Sequence, residues 1–494
     1  MTELEMAEEQ MQQLRSKAKE HLLREEWEES ILAYSHFINL CQDQISNTQH
    51  HLDPENLSKL HKSLCLGLSN RAEARSRLRE FDEALKDCEQ SLKIESTHFK
   101  TLLCKGKILL NLNRYPMALD CFKTALLDPQ ANENAESLNG YLEKCKKLEF
   151  LSRTGGFDLS DWIVNKYRGK SPELAEYIGA VQIRKSGISG RGLFATKNID
   201  AGTLVLVTKA IATERGILPS EDSDEDLLEV PDISLFRPEA EEESRDLDKK
   251  LDMASILNIL DVNSLVEDAV SAKVLGRNSD YYGVGLWVLA SFINHSCSPN
   301  ARRLHVGDYV MVHVSRDVKA DEEITFAYHD VLLPLVKRRE MSNSWGFQCN
   351  CKRCKFEGEM SEKQEIREIE IGLERGIDMG GAVYRSEECM RRCVVRGKQK
   401  GYLRASYWPA YSEAYGSQKS MRRWGQRIPA VDAVVDSLVE VVGSDERLLK
   451  VLIEGLNKSS GVLDKERALK LGRGVYGKVV KKQALRTLLE IGFF

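Results

Sequence analysis

The sequence has no long apolar run and no excess of positive charge. Its longest apolar stretch, from Gly283 to Ile293, has 11 residues, which is too short to cross a bilayer. Lysine and arginine total 71 against 76 acidic residues, and the formal net charge is -5. Because nucleic-acid binding relies on a basic surface, we expect no direct contact with DNA or RNA, and we expect no membrane insertion.

The opening residues and the cysteines bear on the compartment in which the protein is expected. The opening residues, MTELEMAEEQ, are acidic and lack an apolar core, so we expect no secretory signal. Twelve cysteines without such a signal indicate reduced thiols, some of which are candidate metal ligands. The basic run that begins at Lys337 is too short for a nuclear import signal, so the nucleus and the cytoplasm both stay open as locations.

The N-terminal part contains an internal repeat. Similar residues recur 34 positions apart, in the pairs Phe81/Tyr115, Ala84/Ala118 and Leu92/Leu126. This period is that of the helix–turn–helix tetratricopeptide unit. A third copy surrounds Trp27, after which an insertion near residues 42–61 precedes the next copy, and about three copies are needed for a stable stack. We therefore predict an α-helical tetratricopeptide solenoid over residues 1–150.

The pattern beyond the repeats predicts an α+β fold overall. Residues 151–179 are expected to form a linker helix. Short β-branched runs with glycine turns predict a β-rich domain over 180–333. Within it, about 214–253 is a strongly acidic insert, for which a solvated or disordered state and the docking of a basic partner are both open. A cysteine-containing segment follows at 334–357.

Residues 358–494 are expected to form a C-terminal helical domain. Apolar residues recur there with helical spacing, at Val431, Val434, Val435, Leu438, Val439 and Val442. No chemistry is visible in this face, so we interpret the region as a packing domain.

Three cysteines, Cys349, Cys351 and Cys354, lie within six residues. Their C-x-C-x-x-C spacing in a reduced compartment indicates a zinc site, because thiolates are soft ligands that favour tetrahedral zinc. This set is one ligand short, and Cys297, in the polar cluster SFINHSCSPN, is the best candidate for the fourth. Three unrelated thiols are the alternative, which the tight spacing disfavours.

Two glycine motifs are candidate ligand-binding loops. Gly190 and Gly192 would let the backbone approach a ligand closely, although a tight turn explains this spacing equally well. Near the C-terminus, Gly472, Gly474 and Gly477 match the phosphate loop of protein kinases. We reject that match, because only 17 residues follow Gly477 and leave no room for a catalytic loop.

The order of the remaining motifs resembles a known family. A G-R-G-L-F turn, an Asn-His-Ser-Cys cluster, the strand end D-E-E-I-T-F-A-Y and C-x-C-x-x-C follow one another between about residues 180 and 356. This order is similar to that of SET-domain protein-lysine methyltransferases, especially the SET–MYND branch. The resemblance implies a SET domain with a post-SET zinc segment, S-adenosylmethionine as the cofactor and one structural Zn²⁺.

The resemblance also implies a role for individual residues. The implied cofactor-binding residues are Gly190, Arg191, Gly192, Asn294, His295, Tyr328 and Phe347. Tyr328 would be the catalytic tyrosine at the mouth of a lysine channel, Phe347 would stack on adenine, and His295 would act mainly through its backbone. The implied zinc ligands are Cys297, Cys349, Cys351 and Cys354.

Three features depart from the family pattern. The MYND finger is absent, because residues 213–253 contain no cysteine. The glycine that usually opens the G-E-E motif is replaced, since the chain has Ala320 and Asp321 before its two glutamates. Trp345 stands where a tyrosine is often found, and its larger indole leaves the number of methyl groups transferred open.

Together these features predict a protein-lysine N-methyltransferase that acts on a histone or a non-histone protein. A lysine amine, with an ordinary pKa of about 10.4, must lose its proton before it can accept a methyl group. An apolar channel beside a sulfonium cation favours the neutral amine by desolvation and like-charge repulsion. One alternative is a repeat adaptor whose SET domain has lost turnover. Another is a zinc-dependent DNA regulator, which the acidic balance disfavours.

The repeats predict a protein-docking surface, because tetratricopeptide stacks present a concave groove to peptides. Asn70 and Lys100 match positions of the chaperone-tail-binding subclass, which grips a C-terminal carboxylate. Lys19 and Cys104 stand where that subclass has asparagine and arginine, so the match is incomplete. Another peptide ligand and ordinary helix packing are the alternatives.

Overall fold

The structure, a computed structural model, describes residues 3–48, 54–165, 172–217, 256–257, 259–260, 263–266, 281–361, 378–458 and 465–490. The chain divides into two compact units, Met1–Arg153 and Thr154–Phe494. Of the acidic insert expected at 214–253, only residues 214–217 are described, and the rest lies outside the described residues.

Paired helices form the N-terminal unit. They are α1 (Glu3–Leu23), α2 (Trp27–Thr48), α3 (Pro54–Arg77), α4 (Phe81–Ile94), α5 (Phe99–Asn111), α6 (Tyr115–Ala125) and α7 (Ala135–Thr154). Three helix–helix turns each contain a residue in the left-handed conformation, at Glu25 (φ 61°), Arg79 (φ 64°) and Asn113 (φ 59°). Ala84 and Ala118, small residues of the repeat, have no exposed surface. The backbone therefore repeats as the sequence does, and the predicted helical repeats are confirmed.

The linker expected as one helix over 151–179 is interrupted. Helix α7 ends at Thr154, directly before two consecutive glycines, and the short helix α8 covers Ser160–Val164. The first strand begins at Tyr177. The prediction of a continuous helix is wrong, because two adjacent glycines are poor helix formers and stop α7.

Short strands form the β-rich part of the C-terminal unit. They are β1 (Tyr177–Ile178), β2 (Val181–Lys185), β3 (Arg191–Ala195), β4 (Leu204–Lys209), β5 (Ala212–Ile217), β6 (Leu265–Val266), β7 (Tyr281–Leu286), β8 (Asn294–His295), β9 (Ala301–Val306), β10 (Tyr309–Val314) and β11 (Glu323–Phe326). The sheet orders are β1-β4-β10-β9, β2-β3-β11-β8 and β5-β7-β6. Strands β4 and β10 are buried along nearly their whole length, which explains their continuous apolar sequences.

Helices dominate the remainder of this unit. They are α9 (Leu335–Ser344), α10 (Lys352–Ser361), α11 (Met379–Arg392), α12 (Lys398–Ser406), α13 (Trp408–Gly416), α14 (Gln418–Trp424), α15 (Val431–Val442), α16 (Glu446–Lys458), α17 (Lys465–Tyr476) and α18 (Lys482–Glu490). The predicted apolar face of α15 is confirmed, since Val434, Val435 and Leu438 have no exposed surface. Val331 and Leu332, just after the strands, belong to the same hydrophobic core as these helices.

The glycine-rich sequence near the C-terminus has a packing role. A Cβ atom added at Gly474 in α17 would lie 2.0 Å from Ser444 Oγ, so only glycine fits there. Gly477 follows α17 with a φ of 77° and lies against His313 of β10. These contacts agree with the rejection of a phosphate loop. Among the described helices, none is long and apolar enough to cross a membrane.

Candidate active site and thiolate centre

One parallel strand pair brings the sequence motifs together. Strand β8 pairs with β11, so that Asn294 lies opposite Thr325 and His295 lies opposite Phe326. On its other edge β11 pairs with β3, which begins at Arg191. The G-R-G turn, the Asn-His cluster and the strand end that leads to Tyr328 therefore lie on three neighbouring strands.

Asn294 holds the glycine turn in place. Its Nδ2 atom donates to the carbonyl oxygens of Ser189 and Arg191, each at 3.2 Å, and to Glu323 Oε1 at 2.7 Å. Glu323 also accepts from Ser186 Oγ at 2.8 Å, at the start of the same turn. The asparagine side chain and a carboxylate of β11 together fix the shape of this loop.

The residues of the turn have different surroundings. Gly190 is exposed, has a φ of 48° and would meet nothing within 4 Å if it carried a Cβ atom. Arg191 is exposed and places its guanidinium 5.3 Å from the centre of the Phe292 ring. Gly192 is buried, and a Cβ atom there would lie 2.2 Å from Glu323 Oε1. Close packing against Glu323 thus requires glycine at position 192, whereas the space beside Gly190 is open.

Tyr328 is held at both ends by the segment 293–295. Its hydroxyl donates to the carbonyl oxygen of Ile293 at 3.0 Å, and its backbone N–H donates to His295 Nδ1 at 3.0 Å. Burial raises the pKa of Tyr328 to about 12, so the phenol stays protonated near neutral pH. The hydroxyl is therefore a fixed, neutral group at the end of β11.

Aromatic rings surround this tyrosine. The centres of the Trp345 and Phe347 rings lie 6.1 Å and 6.0 Å from the centre of the Tyr328 ring, and Phe347 meets it edge-on. Phe347 also lies 5.5 Å from the ring of His295. The structure therefore groups the predicted residues Asn294, His295, Tyr328 and Phe347, while their roles toward a cofactor stay predictions.

The four predicted zinc ligands form one cluster. The Sγ atoms of Cys297, Cys349, Cys351 and Cys354 all lie within 4.8 Å of one another. Zn–S bonds of about 2.3 Å in a tetrahedron give S–S distances of about 3.8 Å, which lies inside this limit, so the donor set fits zinc. Hydrogen bonds with Cys349, Cys351 and Cys354 hold the pKa of Cys297 well below its usual range, which favours the ligating thiolate.

A buried ionic network that the sequence analysis missed lies beside these thiols. Arg338, Arg353 and Glu357 are each at most 4% exposed. Arg353 Nε donates to Glu357 Oε1 at 2.8 Å, Arg338 also pairs with Glu357, and Arg338 Nη1 donates to Cys354 Sγ at 3.4 Å. Ser406 of α12 donates to Glu357 Oε1 at 2.8 Å. The i,i+4 spacing of Arg353 and Glu357 is the one signal for this network in the sequence.

The network suits an anionic metal centre. Zinc with four thiolates carries two net negative charges, which are costly to bury without nearby cations. Two buried guanidiniums against one carboxylate supply a net positive charge at the cluster. Arg353 also donates to the carbonyl oxygens of Cys297 at 3.0 Å and of Val331 at 2.7 Å. The charge and hydrogen bonding of this chain therefore fit a tetrathiolate zinc site.

Glu357→Gln is expected to destabilise the C-terminal unit strongly. The substitution removes the carboxylate that pairs with both buried guanidiniums, and breaking a buried ion pair costs about 3–5 kcal/mol. Calorimetry of the full chain should show the melting temperature of this unit lowered by about 10 °C. Glu340→Gln is the matched control, because Glu340 pairs with Lys337 at an exposed site and should shift melting by less than about 2 °C. Equal, small shifts of the melting temperature in both variants would contradict a stabilising role for Glu357.

Asp321 occupies the position where the family pattern has a glycine, and the backbone of this turn explains why aspartate is tolerated. Asp321 adopts a φ of 65°, a conformation in which glycine is free of strain and aspartate is tolerated. Its Oδ1 atom accepts a hydrogen bond from Arg184 Nη1 at 2.8 Å. The turn therefore keeps the backbone shape that a glycine would give, with a side-chain contact in addition.

In the N-terminal unit, the two predicted peptide-binding residues are neighbours. Lys100 Nζ of α5 donates to Asn70 Oδ1 of α3 at 3.3 Å, and Asn70 Nδ2 donates to the Tyr34 hydroxyl at 2.9 Å. Asn70 is buried and Lys100 is exposed. The structure brings the pair together, and peptide binding there stays a prediction.

Comparisons with known proteins agree with the site. Residues 190–329 match the model of the SET domain. A protein named Methyltransferase from Gibberella zeae is 26% identical over 376 residues, which are 65% of this chain and 50% of that protein. The "Potential protein lysine methyltransferase SET6" of Saccharomyces cerevisiae is 44% identical over 80 residues, which are 16% of this chain and 21% of that protein. The chain thus contains a SET domain, and it spans half or less of the length of these relatives.

A solved structure is similar to the repeats. The TPR2B domain of yeast Sti1, in a complex with pHsp70, is aligned over 28% of this chain and 97% of its own length, with 20% identity and a TM-score of 0.23.

Proposed function

We propose that this protein is an S-adenosylmethionine-dependent protein-lysine N-methyltransferase. The observation that carries the proposal is the meeting of three separated motifs around the β8–β11 pair. The turn at Gly190 directly before β3, the side chain of Asn294 on β8 and Tyr328 two residues after β11 come together beside Phe347 and the thiolate centre.

The residues that would hold the cofactor are Gly190, Arg191, Asn294, His295 and Phe347. S-adenosylmethionine, when bound, supplies an activated methyl group. The open space at Gly190 supports this placement, because the exposed turn leaves backbone groups accessible beside Asn294. Gly192 contributes by letting Glu323 approach and hold the turn.

Tyr328 and the aromatic rings beside it would favour the neutral form of the substrate lysine and orient its amine. The rings of Tyr328, Trp345 and Phe347 form a largely apolar surface, which disfavours the charged ammonium form by desolvation. The hydroxyl of Tyr328, fixed by Ile293, would orient the neutral amine. Correct positioning of two reactants can supply about 7–11 kcal/mol of barrier reduction, so little acid–base chemistry is needed. The bulk of Trp345 would limit the number of methyl groups that fit.

The thiolate centre would have a structural role. With four thiolate ligands a zinc ion has no open position for water or substrate. Its ligands come from the segment around Cys297 and from the segment 349–354, so the ion would fasten the loop that carries Phe347 to the strand that carries His295.

The helical repeats would dock a protein substrate or partner. Successive helix pairs of the N-terminal unit form a repeat array of the kind that binds peptides in its groove. Asn70 and Lys100 are candidates for contacting such a peptide, a chaperone tail being one option. Location in the nucleus or the cytoplasm stays a prediction.

Transfer of labelled methyl groups tests the proposal. Purified protein, isotopically labelled S-adenosylmethionine and a methyl-depleted cell extract should give a labelled protein band, with the label on lysine by mass spectrometry. The rival function is a repeat adaptor without turnover. A sample that contains zinc and binds the cofactor, yet labels no protein, would favour the adaptor and contradict the enzyme.

A further inference from the structure

The side chain of His295 links the thiolate centre to the main chain of Tyr328. Its Nδ1 atom accepts the backbone N–H of Tyr328 at 3.0 Å, and its Nε2 atom lies 3.3 Å from Cys297 Sγ. The imidazole is 5% exposed, and its ring centre lies 4.4 Å from that of His329 and 5.5 Å from that of Phe347. The ring therefore cannot turn without losing both bonds.

These partners fix the tautomer of the imidazole. A backbone N–H can only donate, so Nδ1 must be the unprotonated nitrogen, and the proton of the neutral ring is on Nε2. Nε2–H then donates to Cys297 Sγ. A metal-bound thiolate carries no proton and can only accept, so the same tautomer satisfies both neighbours when the centre is loaded.

The contact at Tyr328 lies beyond the reach of the strand ladder. Backbone pairing between β8 and β11 ends with Phe326 opposite His295, two residues before Tyr328. The tyrosine N–H is held by the imidazole instead of by a carbonyl oxygen, while its hydroxyl is held by the Ile293 carbonyl. The backbone of Tyr328 is thus fixed by the side chain of His295 and not by the strand ladder.

We propose that His295 is a positioning residue that transmits the placement of Cys297 in the metal centre to Tyr328. Its imidazole bridges a ligand sulfur and the backbone of the tyrosine, so loading of the centre and alignment of the tyrosine are coupled. This inference rests on the proposed function, and it assigns to the His295 side chain a role separate from any backbone contact with the cofactor.

Two substitutions separate the two halves of the bridge. In His295→Asn, the amide Oδ1 atom takes the place of Nδ1 and can accept from Tyr328, but no group reaches Cys297. In His295→Gln, the longer amide places an N–H near Cys297, but the acceptor for Tyr328 is lost. If the histidine had only a structural role, both substitutions would affect zinc release and Tyr328 amide exchange to a similar extent.

The bridge predicts opposite effects on two measurements made without turnover. His295→Asn should keep slow amide hydrogen exchange at Tyr328 and should release zinc to a chelator about tenfold faster than wild type. His295→Gln should release zinc at nearly the wild-type rate and exchange the Tyr328 amide about tenfold faster. Single-residue exchange by mass spectrometry and a colorimetric chelator give the two readouts on the full chain.

Turnover provides the third measurement. The kcat of His295→Gln should fall on the order of 10²-fold with little change in KM, because a small misplacement of a reacting group has effects of that size. The kcat of His295→Asn should fall at least about fivefold less than that of His295→Gln, because its amide oxygen still accepts from the Tyr328 N–H. His305→Asn, at a buried histidine that packs on Trp287 in a different sheet region, controls for loss of any buried imidazole and should lower stability but not kcat.

The outcomes separate this proposal from the proposed function. Parallel changes in zinc release and Tyr328 exchange in both variants, or unchanged exchange in His295→Gln, would overturn the positioning role. Wild-type protein that transfers no methyl group would overturn the proposed function alone, because the two measurements without turnover would still decide whether the bridge exists.

Discussion

Tyr328→Phe is expected to lower kcat for methyl transfer on the order of 10²-fold, while the Kd for S-adenosylmethionine changes by less than about threefold. The substitution removes only the hydroxyl that donates to the Ile293 carbonyl at 3.0 Å. Loss of one fixed polar group in an active site has effects of this size, because the group is already oriented before the reaction. Labelled methyl transfer under single-turnover conditions and calorimetric titration of the cofactor measure the two quantities.

Tyr309→Phe provides the matched control for that substitution. Burial raises the pKa of Tyr309 to about 12, as it does for Tyr328, but Tyr309 lies at the start of β10 in the other four-stranded sheet. Its variant should transfer methyl groups at the wild-type rate. A Tyr328→Phe enzyme with kcat within threefold of wild type, or an equal loss in both variants, would contradict a catalytic role for the Tyr328 hydroxyl.

Loss of one thiolate ligand is the second large expected effect. Cys351→Ser should reduce bound zinc from one ion per chain to well below half, measured by mass spectrometry of the metal. Loss of the ion would leave the two buried guanidiniums with Glu357 as their shared anionic partner and would remove the metal–thiolate bonds, at a cost of about 3–5 kcal/mol. Melting of the C-terminal unit should fall by about 10 °C, whereas melting of the repeat unit should stay unchanged, as resolved by calorimetry.

Cofactor binding should be lost together with the metal. Phe347 lies two residues before the ligand Cys349, so release of the ligands frees the loop that holds this ring against His295 and Tyr328. Cys393→Ser is the control, because Cys393 is also half-buried in the same unit but lies outside the cluster. Full zinc content in Cys351→Ser, or equal losses in both variants, would exclude a zinc site at these four thiols.

Much of this arrangement could be predicted from local sequence patterns. The C-x-C-x-x-C spacing identified three thiols, the chemistry of zinc called for a fourth, and the structure places Cys297 of a distant segment beside the other three. The helical repeat was also predictable, because similar residues recur 34 positions apart. Both features depend on the number of residues between motif positions, and this number can be counted in the sequence without a structure.

The features that were missed depend on contacts between distant segments. Arg338 and Arg353 occur in basic runs that resemble an exposed surface, because arginine is usually exposed. Their buried charges are paired with Glu357, and both guanidiniums also donate to Ser406, which lies on α12 of the C-terminal region. The side chain of His295 was equally ambiguous, since its role depends on a tyrosine N–H beyond the end of a parallel strand pair.

The ion pairs that join strands to C-terminal helices bear on how this protein can be divided for experiments. Arg447 of α16 donates to both carboxylate oxygens of Asp330, at 2.8 Å and 2.9 Å, two residues after Tyr328. Arg302 of β9 pairs with Asp445, and Arg353 bonds Ser406. A fragment that stops after α10 would leave Asp330, Arg302 and Arg353 without these partners and would expose Val331 and Leu332. An autonomous fragment of the C-terminal unit should therefore start near Thr154 and retain at least the helices through α16.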